Sequence, residues 1–236
     1  MNYGCENLIV VITGGTSGIG KACAELLAKE GAKVFVLARH KKIVRSAEFV
    51  FCDVTSRKDV QNALAKIKKQ VQKIDIVINS AGIYSEQRVE KITDAEYKKI
   101  MDTNLWGTML VCQYALPLMQ NGSIINVASD AALHGNYGCA LYSASKGAVV
   151  AFSKSLALDV APNIRVNCVC PADVDTPLTR KQCKKGHYTL EDCKKNYPLQ
   201  KIASADEIAH VICSVASPRN SFMTGSVIMV DGGIAV

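Results

Sequence analysis

From Leu8 the chain runs Leu8-Ile9-Val10-Val11-Ile12-Thr13-Gly14-Gly15-Thr16-Ser17-Gly18-Ile19-Gly20, and this stretch decides the fold. An unbroken aliphatic run, Leu8–Ile12, reads as a strand covered on both faces rather than one with a wet side. Glycines crowd the exit from that strand, and the helical pattern Gly18–Glu30 follows at once. A strand, a tight glycine turn and a helix N-terminus together make an anion site: the backbone approaches closely and the helix dipole faces the charge. The spacing is G-x-x-x-G-x-G, which differs from the common G-x-G-x-x-G dinucleotide fingerprint.

The same alternation continues to the end of the chain. Lys33–Ala38, Glu48–Cys52, Ile74–Asn79, Ser123–Ala128, Ile164–Cys170 and Ser226–Val230 are further short apolar or β-branched runs. Between them Arg57–Gln72, Asp94–Met119, Ser143–Val160 and Ala205–Ala216 carry helical periodicity. Thr93-x-x-Glu96 and Ser204-x-x-Glu207 are predicted capping boxes. Seven strands with interleaved helices predict an α/β, Rossmann-type doubly wound fold, a seven-stranded parallel sheet with helices on both faces. No linker, repeat or low-complexity tract interrupts it, so residues 1–236 are expected to form a single domain. The polar, lysine-rich stretch 173–203 is placed where a substrate flap would lie.

Composition removes several function classes. Of 236 residues 49% are hydrophobic and only 6 are proline, which excludes a disordered or collagenous chain. The aliphatic runs fall far short of the roughly 18 residues of a membrane span. No secretory signal precedes the glycine turn, so a cytoplasmic protein without membrane attachment is expected. A net charge of +7 comes largely from scattered lysines such as Lys66, Lys68, Lys69 and Lys73, which read as solvated helix faces. Without aromatic interleaving or a recognition motif, that charge does not argue for nucleic acid. The 10 cysteines include no C-x-x-C pair, and the four histidines have no ligand spacing, so no metal site is expected.

Thr13-Gly14-x-x-x-Gly18-x-Gly20, then Asn79-Ser80-Ala81-Gly82 after the fourth strand, then Tyr142-x-x-x-Lys146, resembles the short-chain dehydrogenase/reductase family of classical type. The resemblance extends through Pro171 and Thr176 to Val230-Asp231-Gly232-Gly233. It implies an NAD(P)-dependent oxidoreductase acting on CH–OH groups. It also implies a homotetramer or homodimer built on the helices after Thr93 and Tyr142. Carried over residue by residue, Gly14, Thr16, Ser17, Gly18, Ile19 and Gly20 would hold the pyrophosphate. Asp53 and Val54 would bracket the adenine, while Asn79, Ala81 and Gly82 would line its ribose. Pro171, Val174 and Thr176 would lie along the nicotinamide. Ala172 stands where the family normally has glycine.

The end of the second strand discriminates between the two nicotinamide cofactors. It reads Val36-Leu37-Ala38-Arg39-His40-Lys41-Lys42, with no carboxylate for a ribose 2′-hydroxyl. Arg39 instead offers a planar fork suited to a 2′-phosphate. NADP is therefore expected, with NAD possible.

A Tyr followed four positions later by a basic residue is weak evidence alone, and Tyr197…Lys201 and Tyr84…Arg88 also match. Pro198 speaks against a helix at Tyr197. Tyr142 and Lys146 open a helical segment, where i and i+4 share a face. Thirteen residues earlier, Ser129 ends the fifth strand, where parallel sheets bind ligands. A tyrosine of ordinary pKa ~10 is a poor base near neutral pH, and a cation one turn away favours its phenolate. Tyr142 is thus the expected general acid/base. Lys146 would tune it and hold the nicotinamide ribose, and Ser129 would donate to the reacting oxygen. By the same resemblance Asn104, in Thr103-Asn104-Leu105-Trp106-Gly107, would position the lysine through a water relay.

The expected reaction interconverts a ketone and a secondary alcohol. Within that class a 3-oxoacyl thioester, a hydroxysteroid and a sugar or polyol stay open as substrates. A non-catalytic nicotinamide sensor is the alternative from another class, and retention of all four catalytic residues argues against it. His134 and Asn136 read as loop or rim of the substrate region, and Trp106 as packing.

Overall fold

The computed structural model describes residues 3–235. Seven parallel strands build one sheet: β1 (Ile9–Thr13), β2 (Lys33–Ala38), β3 (Ala47–Phe51), β4 (Ile76–Asn79), β5 (Gly122–Val127), β6 (Ile164–Pro171) and, at the far edge, Val227–Val230. The spatial order is β3-β2-β1-β4-β5-β6 followed by that edge strand. The chain works outward from β1 to β3, then crosses back to pair β4 with β1. In a doubly wound sheet the crevice at this reversal receives the ligand.

Aliphatic strands covered on both sides explain the two large cores. On one face α1 (Gly18–Lys29) packs against the helix Ala205–Ala216, burying Cys23, Leu27, Ile208 and Ile212 over Val36 and Ile78. On the other, α2 (Arg57–Lys68) and part of the helix 94–115 bury Leu64, Ile67, Leu110 and Val111 over Phe35 and Val77. Among the described residues no helix is long and apolar enough to cross a membrane.

Three departures from the sequence reading matter for the site. The expected helix Asp94–Met119 is divided into α3 (Asp94–Met101), a π-helical turn Asp102–Trp106, and α4 (Gly107–Ala115). A π turn inserts one extra residue per turn and re-aims side chains, which is why such turns gather at functional positions. The helix expected to begin at Ser143 begins earlier, as α5 (Ala140–Asp159), so Tyr142 and Lys146 sit on its first two turns. The stretch 173–203 is not an open loop. Strand β7 (Val174–Asp175) leads into α6 (Pro177–Gly186) and α7 (Leu190–Lys194), and β7 pairs in parallel with β8 (Ala203–Ser204). This small ladder ties both ends of the segment together ahead of α8 (Ala205–Ala216) and β9 (Val227–Val230).

The capping boxes divide as well. Ser204 and Glu207 satisfy each other's backbone amides in full. Thr93 accepts from the Glu96 amide, but the Glu96 carboxylate turns instead to the Ser85 hydroxyl. Half of that box is spent on anchoring the loop after β4.

Candidate active site

A cavity of about 780 Å³ opens over the C-terminal ends of β1, β4, β5 and β6. Gly14, Thr16, Ser17, Gly18 and Ile19 form its floor at one end. Gly14 has φ 67°, and a Cβ there would lie 3.0 Å from the Ala81 backbone, so the turn accepts no side chain. Thr13 Oγ1 accepts from the amides of Ser80 and Ala81, both at 3.1 Å, locking the β4 loop against the β1 turn. Ser17 starts α1 without bonding it through its side chain, leaving its hydroxyl and the helix N-terminus to an anion. Gly20 lies underneath rather than in the cavity: a Cβ there would meet the Gly14 carbonyl oxygen at 2.7 Å.

Arg39 lines the outer end of the same cavity, joined by His40 and Lys42, which sequence reasoning did not single out. Asp53 and Val54 border it from the β3 side, with Asp53 Oδ1 holding the Thr55 amide at 3.0 Å. Ala81 and Gly82 line it, but Asn79 does not. Its side chain is buried in the sheet, donating to Asn126 Oδ1 at 2.9 Å, and Asn126 in turn donates to Ser153 at 2.8 Å. The Asn79 side chain thus binds β4 to β5 within the layer.

Ser129, Tyr142 and Lys146 all line the inner end, with Tyr142 hydrogen-bonded to Ser129, while Lys146 is not among the groups that shift the Tyr142 phenol. Lys146 Nζ donates to the Val127 carbonyl at 2.9 Å, and a Cβ on Gly82 would lie 3.3 Å from that nitrogen. Burial lowers the Lys146 ammonium to about 8, against a smaller upward pull from the thiols of Cys168 and Cys170. Burial pushes the Tyr142 phenol up, while a hydrogen bond with Ser129 draws it back. Tyr84 stacks edge-on to Tyr142 at 4.9 Å between ring centroids and contacts Cys139 Sγ through its hydroxyl at 3.0 Å.

Asn104 sits behind this cluster on the π turn, fully buried. Its Oδ1 accepts from the Ile83 amide at 2.9 Å, and its Nδ2 donates to the Ile83 carbonyl and to Ser145 Oγ, both at 3.0 Å. The contact with Lys146 is therefore indirect, across Gly82.

Pro171, Val174 and Thr176 line the wall opposite α5, together with Ala172 and Asp173. Burial raises the Asp173 carboxyl, with a partly offsetting hydrogen bond from Tyr197. The chance match Tyr197 also reaches the cavity, but its hydroxyl accepts from the Asp173 amide at 3.1 Å and Lys201 pairs elsewhere, with Glu207. Of the two rim residues, Asn136 borders the cavity, whereas His134 turns to Asp130. The lysines Lys181, Lys184, Lys185, Lys194 and Lys195 are not among the cavity residues; α6 and α7 contribute Leu178, Gln182, Asp192 and Cys193 instead.

A family model described as Enoyl-(Acyl carrier protein) reductase matches residues 14–235, from the first glycine of the turn to past β9. The chain belongs to the classical short-chain dehydrogenase/reductase family. As a member it is an NAD(P)-dependent oxidoreductase acting on CH–OH groups. It is 38% identical over 239 residues to a 3-oxoacyl-[acyl-carrier-protein] reductase of Homo sapiens, covering 96% of this chain and 97% of that protein. The ligand-free aldohexose dehydrogenase of Thermoplasma acidophilum superposes with a TM-score of 0.96 at 33% identity, covering 100% of this chain and 96% of that one. ElxO with NADP bound gives 0.90 at 29% identity, covering 97% and 98%.

Proposed function

We propose that this short-chain dehydrogenase/reductase is NADP-preferring and reduces a ketone to a secondary alcohol, with 3-oxoacyl thioesters as its substrate class. The observation that carries the reading is one cavity with two chemically different ends: Arg39, His40 and Lys42 at the outer end, and Ser129, Tyr142 and Lys146 at the inner. Residues from Gly14 to Ile234 contribute to that cavity, which supports reading the chain as a single catalytic unit.

The residues present suit a nicotinamide dinucleotide. Side-chain-free glycines, the unspent α1 N-terminus and a cationic patch border the same cavity, the groups that a turn, a pyrophosphate and a 2′-phosphate would need. When bound, the nicotinamide supplies or accepts the hydride. Tyr142 donates its phenolic proton to the carbonyl oxygen as charge develops there, and Lys146 stabilises the phenolate left behind. Ser129 positions the same oxygen. Asn104 fixes the Ile83 loop, and with it the backbone at Gly82 against which Lys146 rests.

The thioester class is supported by the similarity to the human 3-oxoacyl-[acyl-carrier-protein] reductase along nearly the full length of both chains. A sugar substrate is the second reading, favoured by the close superposition on an aldohexose dehydrogenase. An oligomer is part of the proposal: Trp106, 38% exposed, borders a mostly apolar hollow with Met101, Asp102, Leu105 and Met109 on the α3–α4 surface. Size-exclusion chromatography with light scattering reads its mass.

The test is oxidation of NADPH and NADH against acetoacetyl-CoA, steroid ketones and sugars, with Tyr142→Phe beside the wild type. Turnover of the thioester with NADPH, lost in Tyr142→Phe while NADPH still quenches protein fluorescence, is the expected result. Turnover by Tyr142→Phe within tenfold of wild type removes the tyrosine from its role. Turnover confined to sugars replaces the substrate class.

A further inference from the structure

Directly after Ser129 the chain places an aspartate, and Asp130 is itself buried at 7% exposure. Its Oδ1 accepts the Ser129 hydroxyl proton at 2.7 Å and the Ala131 amide at 2.8 Å. Its Oδ2 faces Nε2 of His134 at 3.0 Å, four residues on. The Ala131 amide also points at Ser129 Oγ, at 3.2 Å. A short hydrogen-bonded chain thus runs from the cavity serine through a carboxylate to a histidine outside the cavity.

A hydroxyl has one proton to give and two lone pairs to offer. Here the proton is committed to a carboxylate, an acceptor that holds it more strongly than a neutral oxygen would. One lone pair faces the Ala131 amide. The Tyr142 phenol also hydrogen-bonds this hydroxyl, so carboxylate and phenol compete for its one proton, and while the carboxylate holds it what Ser129 presents to a substrate oxygen is an acceptor. A ketone oxygen has only lone pairs and gains nothing from that acceptor unless Ser129 lets go of Asp130. An alcohol has a proton to give and meets a ready partner, while the Tyr142 phenol donates to its oxygen from the other side.

We propose that Asp130, braced by His134, is a positioning residue that holds Ser129 as a hydrogen-bond acceptor and so biases the site toward the alcohol member of its substrate pair. This rests on the reaction proposed above, but concerns the relative binding of the two members and not whether they are interconverted. The carboxylate also lies close enough to Tyr142 and Asp173 to raise both, so a direct charge effect on the substrate is the rival account that the test must separate.

The experiment measures kcat and KM in both directions for acetoacetyl-CoA and 3-hydroxybutyryl-CoA with saturating NADP(H), in wild type, Asp130→Ala, Asp130→Asn, Ser129→Ala and the Ser129→Ala/Asp130→Ala double variant. Thermal melts and NADPH titrations establish that each variant folds. Releasing the Ser129 proton in Asp130→Ala should lower the ketone KM and raise the alcohol KM, so that their ratio moves about tenfold. The ketone-to-alcohol kcat ratio must move in the same direction by the same factor, because with cofactor affinities unchanged the equilibrium constant fixes the ratio of the two kcat/KM values. Asp130→Asn, which keeps an acceptor without the charge, should fall between. In the Ser129→Ala background the Asp130 substitution should change the ratio less than twofold, the signature of action through the serine. An equal shift with and without Ser129 overturns the proposal in favour of a direct charge effect, and no shift in either background overturns it outright. A wild type inactive on this pair sinks the thioester reading instead, and the same ratio is then read on the ketone and alcohol pair it does turn over.

Discussion

The Lys146 ammonium donates to the Val127 carbonyl at 2.9 Å, so a side chain that starts on α5 terminates on the last residue of β5. The contact holds the cation under the cavity floor, where burial lowers it to about 8. A folded-state value below the unfolded one of about 10.4 means that between these pH values the unfolded chain binds more protons than the folded one. Stability from this group therefore rises as pH increases from about 8 to about 10, by a total of about 3 kcal/mol. Paired chemical denaturations of wild type and Lys146→Met across that range isolate it: the difference should move in favour of the wild type as pH rises. A constant difference would mean that the lysine is not desolvated in the folded protein.

Asn104 supplies the second prediction. Its three hydrogen bonds tie the π turn to Ile83 and to Ser145 of α5; the bond to Ser145 is buried and the two to Ile83 are partly buried. Asn104→Ala leaves the Ile83 amide and carbonyl without those partners, at about 1–3 kcal/mol for each unsatisfied group. A loss of roughly 2–4 kcal/mol in urea denaturation, together with weaker NADPH binding through the loosened Ala81–Ile83 loop, is the expected pair of effects. Intact cofactor affinity in a destabilised variant would detach the loop from the site.

How far the sequence reached depends on which residues report local chemistry and which report packing. The strands, the glycine turn and Tyr142–Lys146 were legible because period, glycine placement and i,i+4 spacing act over a few residues. The π turn at Asn104 was not. It leaves no pattern in Asp94–Met119, whose periodicity continues across the break, and it is visible only where the helix must reach Ile83. Asn79 shows the opposite case. Its motif is short and its position is right, but Asn126, a residue 47 positions away, claims its amide. Asp130 was passed over because a lone acid beside a serine has no spacing to notice. Its meaning is carried by hydrogen bonds to Ser129 and His134.

Arg39, His40 and Lys42 are exposed residues around the outer cavity, so their effect should fall on cofactor choice and leave stability nearly unchanged. Arg39→Asp replaces a phosphate-binding fork with an acid suited to a 2′-hydroxyl. The ratio of kcat/KM for NADPH over NADH should drop at least tenfold, and Lys42→Ala should lower it severalfold without altering the NADH value. A ratio that stays put in Arg39→Asp would place the 2′-phosphate elsewhere.

Gly20 tests the turn from beneath. A methyl group there would meet the Gly14 carbonyl oxygen at 2.7 Å and its carbon at 2.9 Å, both of them backbone atoms that cannot step aside. Overpacking of this kind costs about 1–3 kcal/mol, and relief requires Gly14 to move, which shifts the floor of the cavity. Gly20→Ala should therefore lose stability and cofactor affinity together. A variant with reduced stability but wild-type NADPH affinity would show that the floor tolerates the displacement.

The cysteines close the question that their number raises. All ten are buried as free thiols, spread over both faces of the sheet and over α6 and α7. Burial pushes Cys5 up to about 11, and Cys52, Cys112 and Cys193 up to about 12. Only the thiolate is a nucleophile, so these groups combine low access with low ionisation. Cys168 is the exception in direction: a hydrogen bond from Cys170 and the Lys146 charge draw it down, at the expense of Cys170, which burial and that same bond raise. Its burial beneath α5 still denies a reagent access. Titration with a chromogenic disulfide at pH 8 should accordingly find fewer than one rapidly reacting thiol per folded chain and ten after denaturation. NADPH binding should leave that count unchanged, since the barrier is packing and not a ligand. Several fast thiols in the folded protein would mean that α6 and α7 open readily, and Cys183 and Cys193 would be the first to label.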